Sequence, residues 1–185
     1  DRVDEVIAAE SVTFVDDPTD VRAFTAGTND GEGLATRRNV LIDAGRLTGF
    51  VHDAYSGRRS GVASTGSAVR SSRTTPMAGC QAISLLPGDK SPAELLAEVG
   101  NGLLVADVAG LHSGVNPVSG DFSTGADGLW IKDGELADPV REFTIASTLQ
   151  RMLQDVVAVG ADLTWLPMSA AGVTLVIADV SVSGV

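Results

Sequence analysis

Apolar and polar positions alternate with a period of two along "SVTFVDDP", Ser11 to Pro18, which predicts a strand that Pro18 stops. Just upstream, Asp4 to Ala9 reads as a short helical turn, and downstream "TAGTNDGEG" reads as an exposed loop. "RRNVLIDAGRLTGFVHDAY" predicts two strands, about Asn39 to Ile42 and Leu47 to His52, joined through a turn at Gly45. Ser56 to Gly79 is rich in Ser, Thr, Gly and Arg and poor in large apolar side chains, so it reads as a long loop. "QAISLLPGD" predicts a strand with a Pro-Gly stop. Ser91-Pro92-Ala93-Glu94 then combines an N-cap serine, proline at the first helical position and a glutamate three residues after the cap, predicting a helix to about Val99.

The apolar run "GLLVADVAG" predicts a strand, and Asp133-Gly134 in "LWIKDGELA" is a strong signal for a two-residue hairpin. Leu149, Met152, Leu153, Val156 and Val157 stand at helical spacing, which predicts a helix over about 147–159 closed by Gly160 in the left-handed conformation. "GVTLVIADVSVSG" closes the chain as strand. Hairpin signals outnumber helical stripes, so the expected class is α+β, a mainly antiparallel sheet with hairpins and two or three helices, built as a single domain over residues 1–185.

Composition narrows the function. The 185 residues are 44% hydrophobic, enough for one sizeable core, and carry a formal net charge of −11. Such a field repels polyanions, so nucleic acid is not an expected partner. Arg37, Arg38, Arg58, Arg59, Arg70 and Arg73 still concentrate basic charge in one stretch. Cys80 is the sole cysteine, so no disulfide forms within the chain, and a reducing cytoplasm is the expected setting. No apolar run approaches the ~18 residues of a membrane span, and no membrane partner is expected. The chain begins at Asp1 without Met, which suggests a fragment or processed product lacking an N-terminal part.

The usual catalytic signatures are missing: no H-E-x-x-H, no G-x-x-x-x-G-K-[ST], no G-x-G-x-x-G and no G-x-S-x-G. His52 and His112 stand far apart, and neither has a histidine or cysteine at ligand spacing, so no metal site is expected from this chain alone. His52 beside Asp53 reads as a strand-end histidine bonded locally. His112-Ser113 with Asp121 resembles a triad on paper, but adjacent residues of an extended segment point to opposite faces. Cys80 has nothing nearby to depress its pKa and reads as an inert thiol. Asp16-Asp17 before Pro18 reads as a pair of turn formers in solvent, and Trp130 and Trp165 as core or partner-facing surface. No residue is assigned a catalytic role.

The segment "GLLVADVAGLHSGVNPVSGDFSTGADGLWIKDGELADPVREFTIASTLQRMLQDVVAVGADL", with "FVDDPT", "TRRNVLIDAGRLTGFVHDAYSGRR", "STGSA" and "LLPGD" in the same order, resembles the C-terminal domain of the TldD/TldE (PmbA) family of metalloproteases, once named modulators of DNA gyrase. The resemblance runs over nearly the whole chain. TldD-type members are expected to hold zinc through an upstream H-E-x-x-x-H helix and a cysteine near the C-terminus. After "VGADL" this chain runs "TWLPMSAAGVTLVIADVSVSGV", with no such cysteine, and "HSGVNPVSGDFS" looks like the TldE/PmbA form.

The resemblance therefore implies a subunit without its own zinc that scaffolds a zinc-bearing TldD-like partner, as a heterodimer or otherwise a homodimer, around a cavity for a flexible peptide. Two alternatives stay open: a stand-alone module that binds peptides by strand addition without hydrolysis, and a peptidase whose metal ligands lie upstream of residue 1. "GLHSGVNPVSGDFSTGADG", rich in glycine and turn residues, reads as architecture that shapes a groove or subunit contact. The residues expected to face partner or peptide are Arg58, Arg59, Arg70, Arg73, His112, Asn116, Asp121 and Ser123, with the arginine-rich loop ordering only against a partner.

Overall fold

Asp133 and Gly134 take φ of 50° and 82°, both left-handed, and close the longest hairpin of the molecule as the Asp-Gly pair predicts. The computed structural model describes residues 2–184. In chain order the elements are β1 (Phe14–Asp16), β2 (Asn39–Asp43), β3 (Arg46–Leu47), α1 (Ala54–Ser60), β4 (Ala68–Val69), β5 (Met77–Ala78), β6 (Ile83–Leu85), α2 (Pro92–Val99) and β7 (Gly102–Ala109). They continue with α3 (Leu111–Gly114), β8 (Asp121–Lys132), β9 (Glu135–Thr148), α4 (Leu149–Gln154), β10 (Val156–Val159), β11 (Thr164–Trp165), β12 (Ala171–Gly172), β13 (Leu175–Ile177) and β14 (Ser181–Ser183). The fold is α+β and its sheets are antiparallel.

The chain groups into two compact units. Unit 1 is built mainly from Val12–Pro87 and Leu163–Val173, and unit 2 from Ile7–Ser11, Gly88–Asp162 and the residues from Thr174 onward. In unit 1 the strand order is β3-β2-β1-β6. The expected β2–β3 hairpin forms, with Ala44 and Gly45 at positive φ, but β3 ends at Leu47 rather than reaching His52. Beyond Leu47 the backbone leaves the sheet, so His52 is no strand end; it precedes α1.

Unit 2 carries the sheet β14-β9-β8-β7. Over the first two thirds of β8 burial alternates: Phe122, Thr124 and Ala126 point inward while Asp121, Ser123, Gly125 and Asp127 point out. Phe122 and Ala126 join Phe143 and Ile145 of β9 in one core cluster, against which Leu103, Val108 and Met152 pack. Helix α2 begins as its sequence predicts, with the Ser91 hydroxyl accepting the Glu94 amide and the Glu94 carboxylate accepting the Ser91 amide.

Several sequence expectations are corrected here. The helix expected over 147–159 is only α4; Asp155 ends it and Val156–Val159 is strand β10, paired with β13. Val156 and Val159 are buried while Val157 is exposed, the register with β13 shifting between Val156 and Ala158, and the β-branched run suits a strand. Gly160 accordingly does not sit in the left-handed region. Asp4 to Ala9 is a turn, with Asp4 at φ 72° and Val6 bridged to Arg46, and contains no helix. The C-terminal apolar stretch divides into β12, β13 and β14, which join three different sheets.

The segment Ser56 to Gly79 is not one loop. It contains most of α1 and the β4–β5 pair, and Ser67 and Ala68 are buried. Hydrogen bonds supply the order that apolar bulk does not. Asp53 caps α1 in a capping box with Ser56, and Gly61 ends the helix in the left-handed conformation. Ser67 Oγ accepts from Asn39 Nδ2 at 3.1 Å and from Thr65 Oγ1 at 2.9 Å, so the strand enters the fold through satisfied polar contacts.

Candidate functional site

Two buried carboxylates build the concave part of unit 1. Asp16 closes β1 with no exposed surface, and its Oδ1 accepts the backbone amides of Gln81 at 2.8 Å and Ala82 at 2.7 Å. The solvent-exposed turn expected for Asp16 is therefore incorrect: alternation in "VTFVD" puts it on the face of Val12 and Phe14, and that face is covered. Its Oδ2 is buried without a partner. Burial raises the Asp16 pKa, against the pull of the Ala82 and Gln81 amides, and the neighbouring Asp17 charge raises it further. Asp17 does form the expected turn, accepting from the Thr19 amide at 3.0 Å.

Asp30, inside the stretch expected to be an exposed loop, is buried. Its Oδ1 accepts the amides of Glu32 and Leu34, each at 2.9 Å, and its Oδ2 accepts that of Ala68 at 3.1 Å. Gly31 completes the junction by donating to the Ala68 carbonyl at 2.7 Å. A Cβ on Gly31 would stand 2.9 Å from that oxygen and 3.3 Å from Arg70 Cγ, so only glycine lets the loop lie this close to β4 and the arginine stem. Thr25 Oγ1 donates to the Gln81 carbonyl, and Gln81 Nε2 to Gly66 O at 3.1 Å.

These ties enclose an open cavity of about 600 Å³ whose walls include Asn29, Arg70, Cys80, Gln81 and Ser169. Cys80 is half-buried and its thiol is pushed up to about 11, first by burial and then by the charge of Asp16, so it stays neutral near pH 7. The inert thiol read from the sequence has this physical basis. Arg70 is exposed and makes no ion pair among the described residues.

The eight residues expected to face partner or peptide divide between the units. Arg58, Arg59, Arg70 and Arg73 belong to unit 1, and His112, Asn116, Asp121 and Ser123 to unit 2. Arg58 and Arg59 stand exposed on the last turn of α1, and the Arg59 guanidinium lies 5.8 Å from the centroid of the Tyr55 ring. Arg73 sits in the β4–β5 connection, its amide donating to Ser71 Oγ at 3.2 Å. His112 is exposed on α3. The Asn116 and Asp121 backbones are joined at 2.9 Å, and Asn116 Oδ1 accepts the amides of Val118 and Ser119 in a tight turn. Ser123 points outward from β8.

No triad forms around His112. Ser113 Oγ donates to Gly110 O at 3.1 Å, and Asp121 Oδ2 accepts from Ser119 Oγ at 2.6 Å. Zinc, which the family resemblance implies for TldD-type members, finds no fitting ligand set here: among the described residues no three His, Cys, Asp or Glu side chains gather closely enough to hold a metal ion. His52 Nδ1 instead lies 3.4 Å from Ser56 Oγ, and the neutral Cys80 thiol is a poor ligand. Among the described residues no helix is long and apolar enough to cross a membrane.

The fold has close counterparts. TldE from Thermococcus kodakarensis superposes with a TM-score of 0.85 at 33% identity, over 94% of this chain and 39% of that one. A Thermotoga maritima protein carrying the name of a DNA gyrase modulator gives a TM-score of 0.91 at 28% identity, over 98% of this chain and 41% of that one. By sequence, the metalloprotease PmbA homolog of Haemophilus influenzae is 39% identical over 72% of this chain and 28% of its own length. Metalloprotease PmbA of Escherichia coli O157:H7 is 32% identical over 88% of this chain and 34% of its own length. The chain thus spans about a third of the curated relatives it matches. With residues 1–184 matching its family model, the chain belongs to the PmbA/TldA metallopeptidase C-terminal domain family.

Proposed function

We propose that the protein is the PmbA/TldE-type subunit of a cytoplasmic peptide-processing metallopeptidase, without zinc of its own, scaffolding a zinc-bearing TldD-type partner and the cavity that admits a flexible peptide. The observation that carries this reading is the joint likeness to PmbA and TldE, at 32% and 33% identity over most of the chain. Tyr55, Arg58 and Arg59 on α1 provide the aromatic and guanidinium anchors that protein interfaces favour.

Pull-down of the protein with an H-E-x-x-x-H-bearing homologue, followed by zinc analysis of each recovered subunit, tests the proposal. The expected result is a stable pair with zinc on the homologue alone and peptidase activity only in the pair. Chelator-sensitive peptidase activity of this protein by itself, or no pairing at micromolar concentration, overturns it.

A further inference from the structure

Arg70 is a cationic side chain at the wall of the unit 1 cavity, and no ion pair among the described residues engages it. The other charged group there, Asp30, is closed to ligands, because three backbone amides occupy its carboxylate and little of it is exposed. Cys80 contributes a neutral thiol, and Thr25 and Gln81 already donate to backbone carbonyls. The chemistry left for a ligand is thus a planar guanidinium fork, joined in the lining by the half-buried Ser169 from a stretch of chain distant in sequence. The backbone that carries the arginine is also held in place. Gly31 leaves room for its stem, and Ala68, two residues earlier, is fixed by the Asp30 carboxylate and the Gly31 amide.

From this geometry we infer that the cavity is a binding site for a carboxylate, with Arg70 taking the two oxygens in a bidentate pair. Guanidinium matches carboxylate geometry better than any other side chain does, and a pair of parallel charge-assisted bonds fixes orientation as well as affinity. The volume of about 600 Å³ fits short ligands, since small-molecule sites run about 300–1,000 Å³. The carboxylate has two possible sources, the free C-terminus of a peptide or a small dicarboxylic acid. The inference rests on unit 1 alone and stands whether or not the protein pairs with another subunit.

Heteronuclear NMR titration of the whole protein with N-acetyl-alanyl-alanine, its C-terminal amide and succinate tests the site, with Arg70→Gln, Arg70→Lys and Ser169→Ala as variants. The expected result is saturable shifts at Arg70, Gly31 and Cys80 with the free acid, and binding weakened about tenfold or more both by amidation and by Arg70→Gln. Arg70→Lys recovers part of the loss by keeping the charge without the fork. Succinate binding with no response to the free-acid peptide assigns the site to a small acid and still supports a carboxylate site. Equal binding of acid and amide, no change in Arg70→Gln, or no saturable shift at millimolar ligand overturns the inference. Arg70 is exposed, so Arg70→Gln keeps its unfolding midpoint, and Ser169→Ala supplies an independent probe of the same cavity.

Discussion

Asp16 holds the amide of Ala82 at 2.7 Å from a position with no exposed surface, and with the Gln81 amide on the same oxygen this ties the end of β1 to the residues that lead into β6. Replacing Asp16 by Ala strands the buried Ala82 amide, at a cost of about 1–3 kcal/mol, and leaves the half-buried Gln81 amide unpaired at a smaller one. Asp16→Asn keeps an acceptor and should recover much of that loss, as denaturant unfolding of the two variants will show.

The same carboxylate fixes a pH dependence. Its folded pKa is raised, so the folded state binds the proton more tightly than the unfolded chain, and the Asp16 contribution to stability is greatest below about 3.8 and declines as pH rises through the folded value. The stability of the native protein relative to Asp16→Asn should therefore fall as pH rises from the acid range toward neutrality. A rising difference over that window would contradict the assignment.

Asp53 behaves in the opposite sense. Its bonds from the Ser56 hydroxyl and amide lower its pKa, so its contribution is present above the ordinary carboxylate value and is lost as pH falls through the lowered one. Asp53→Ala should loosen α1, seen as faster amide exchange from Ser56 to Ser60, whereas Asp53→Asn retains the cap.

Changing Arg58 and Arg59 together to Ala should weaken assembly with a TldD-type partner by about tenfold or more, since anchoring arginines carry a large share of interface energy. Exposed positions usually change folding stability by no more than about 0.5 kcal/mol, so the unfolding midpoint should hold. Surface-plasmon measurement of association beside thermal unfolding separates the two effects.

Strand β10 makes a prediction that a helix would not. Val156→Ala should cost about 2 kcal/mol, from ~0.8 kcal/mol per buried methylene plus a small cavity, while Val157→Thr should stay within about 0.5 kcal/mol because Val157 is 63% exposed. Equal costs at both positions would restore the helical assignment.

Cys80 should alkylate slowly at pH 7–8, with a rate still climbing toward pH 11, and Asp16→Asn should speed it by removing the neighbouring charge. Iodoacetamide labelling followed by mass spectrometry gives the profile.

Local signals carried far into this fold where turn and cap chemistry is decisive. Asp133-Gly134, Ala44-Gly45 and Ser91 to Glu94 stand where their sequences predict. Spacing misled at Leu149 to Val157, because a stripe of three and four also fits a short helix followed by a strand, and only the pairing with Leu175–Ile177 separates them. The α1 helix was hidden because Tyr55 to Ser60 has no apolar stripe; the legible cue was Asp53 followed three residues later by Ser56, a cap without the usual glutamate. The cavity was harder still. Asp30, Arg70 and Gln81 are far apart in sequence, and nothing local marks a carboxylate as serving distant amides.

The threading of the two units sets the order in which a growing chain can finish folding. The Ile83 amide of β6 donates to the Ser169 carbonyl and Ile83 bridges to Ala170, so unit 1 stays open until more than eighty residues beyond β6 have left the ribosome. Those residues include Gly88–Asp162, the greater part of unit 2, whose own sheet in turn waits for Ser181–Ser183. During translation both half-made units present unpaired strand edges at once, unit 1 until Leu163–Val173 has emerged and the unit 2 sheet until Ser181–Ser183 has.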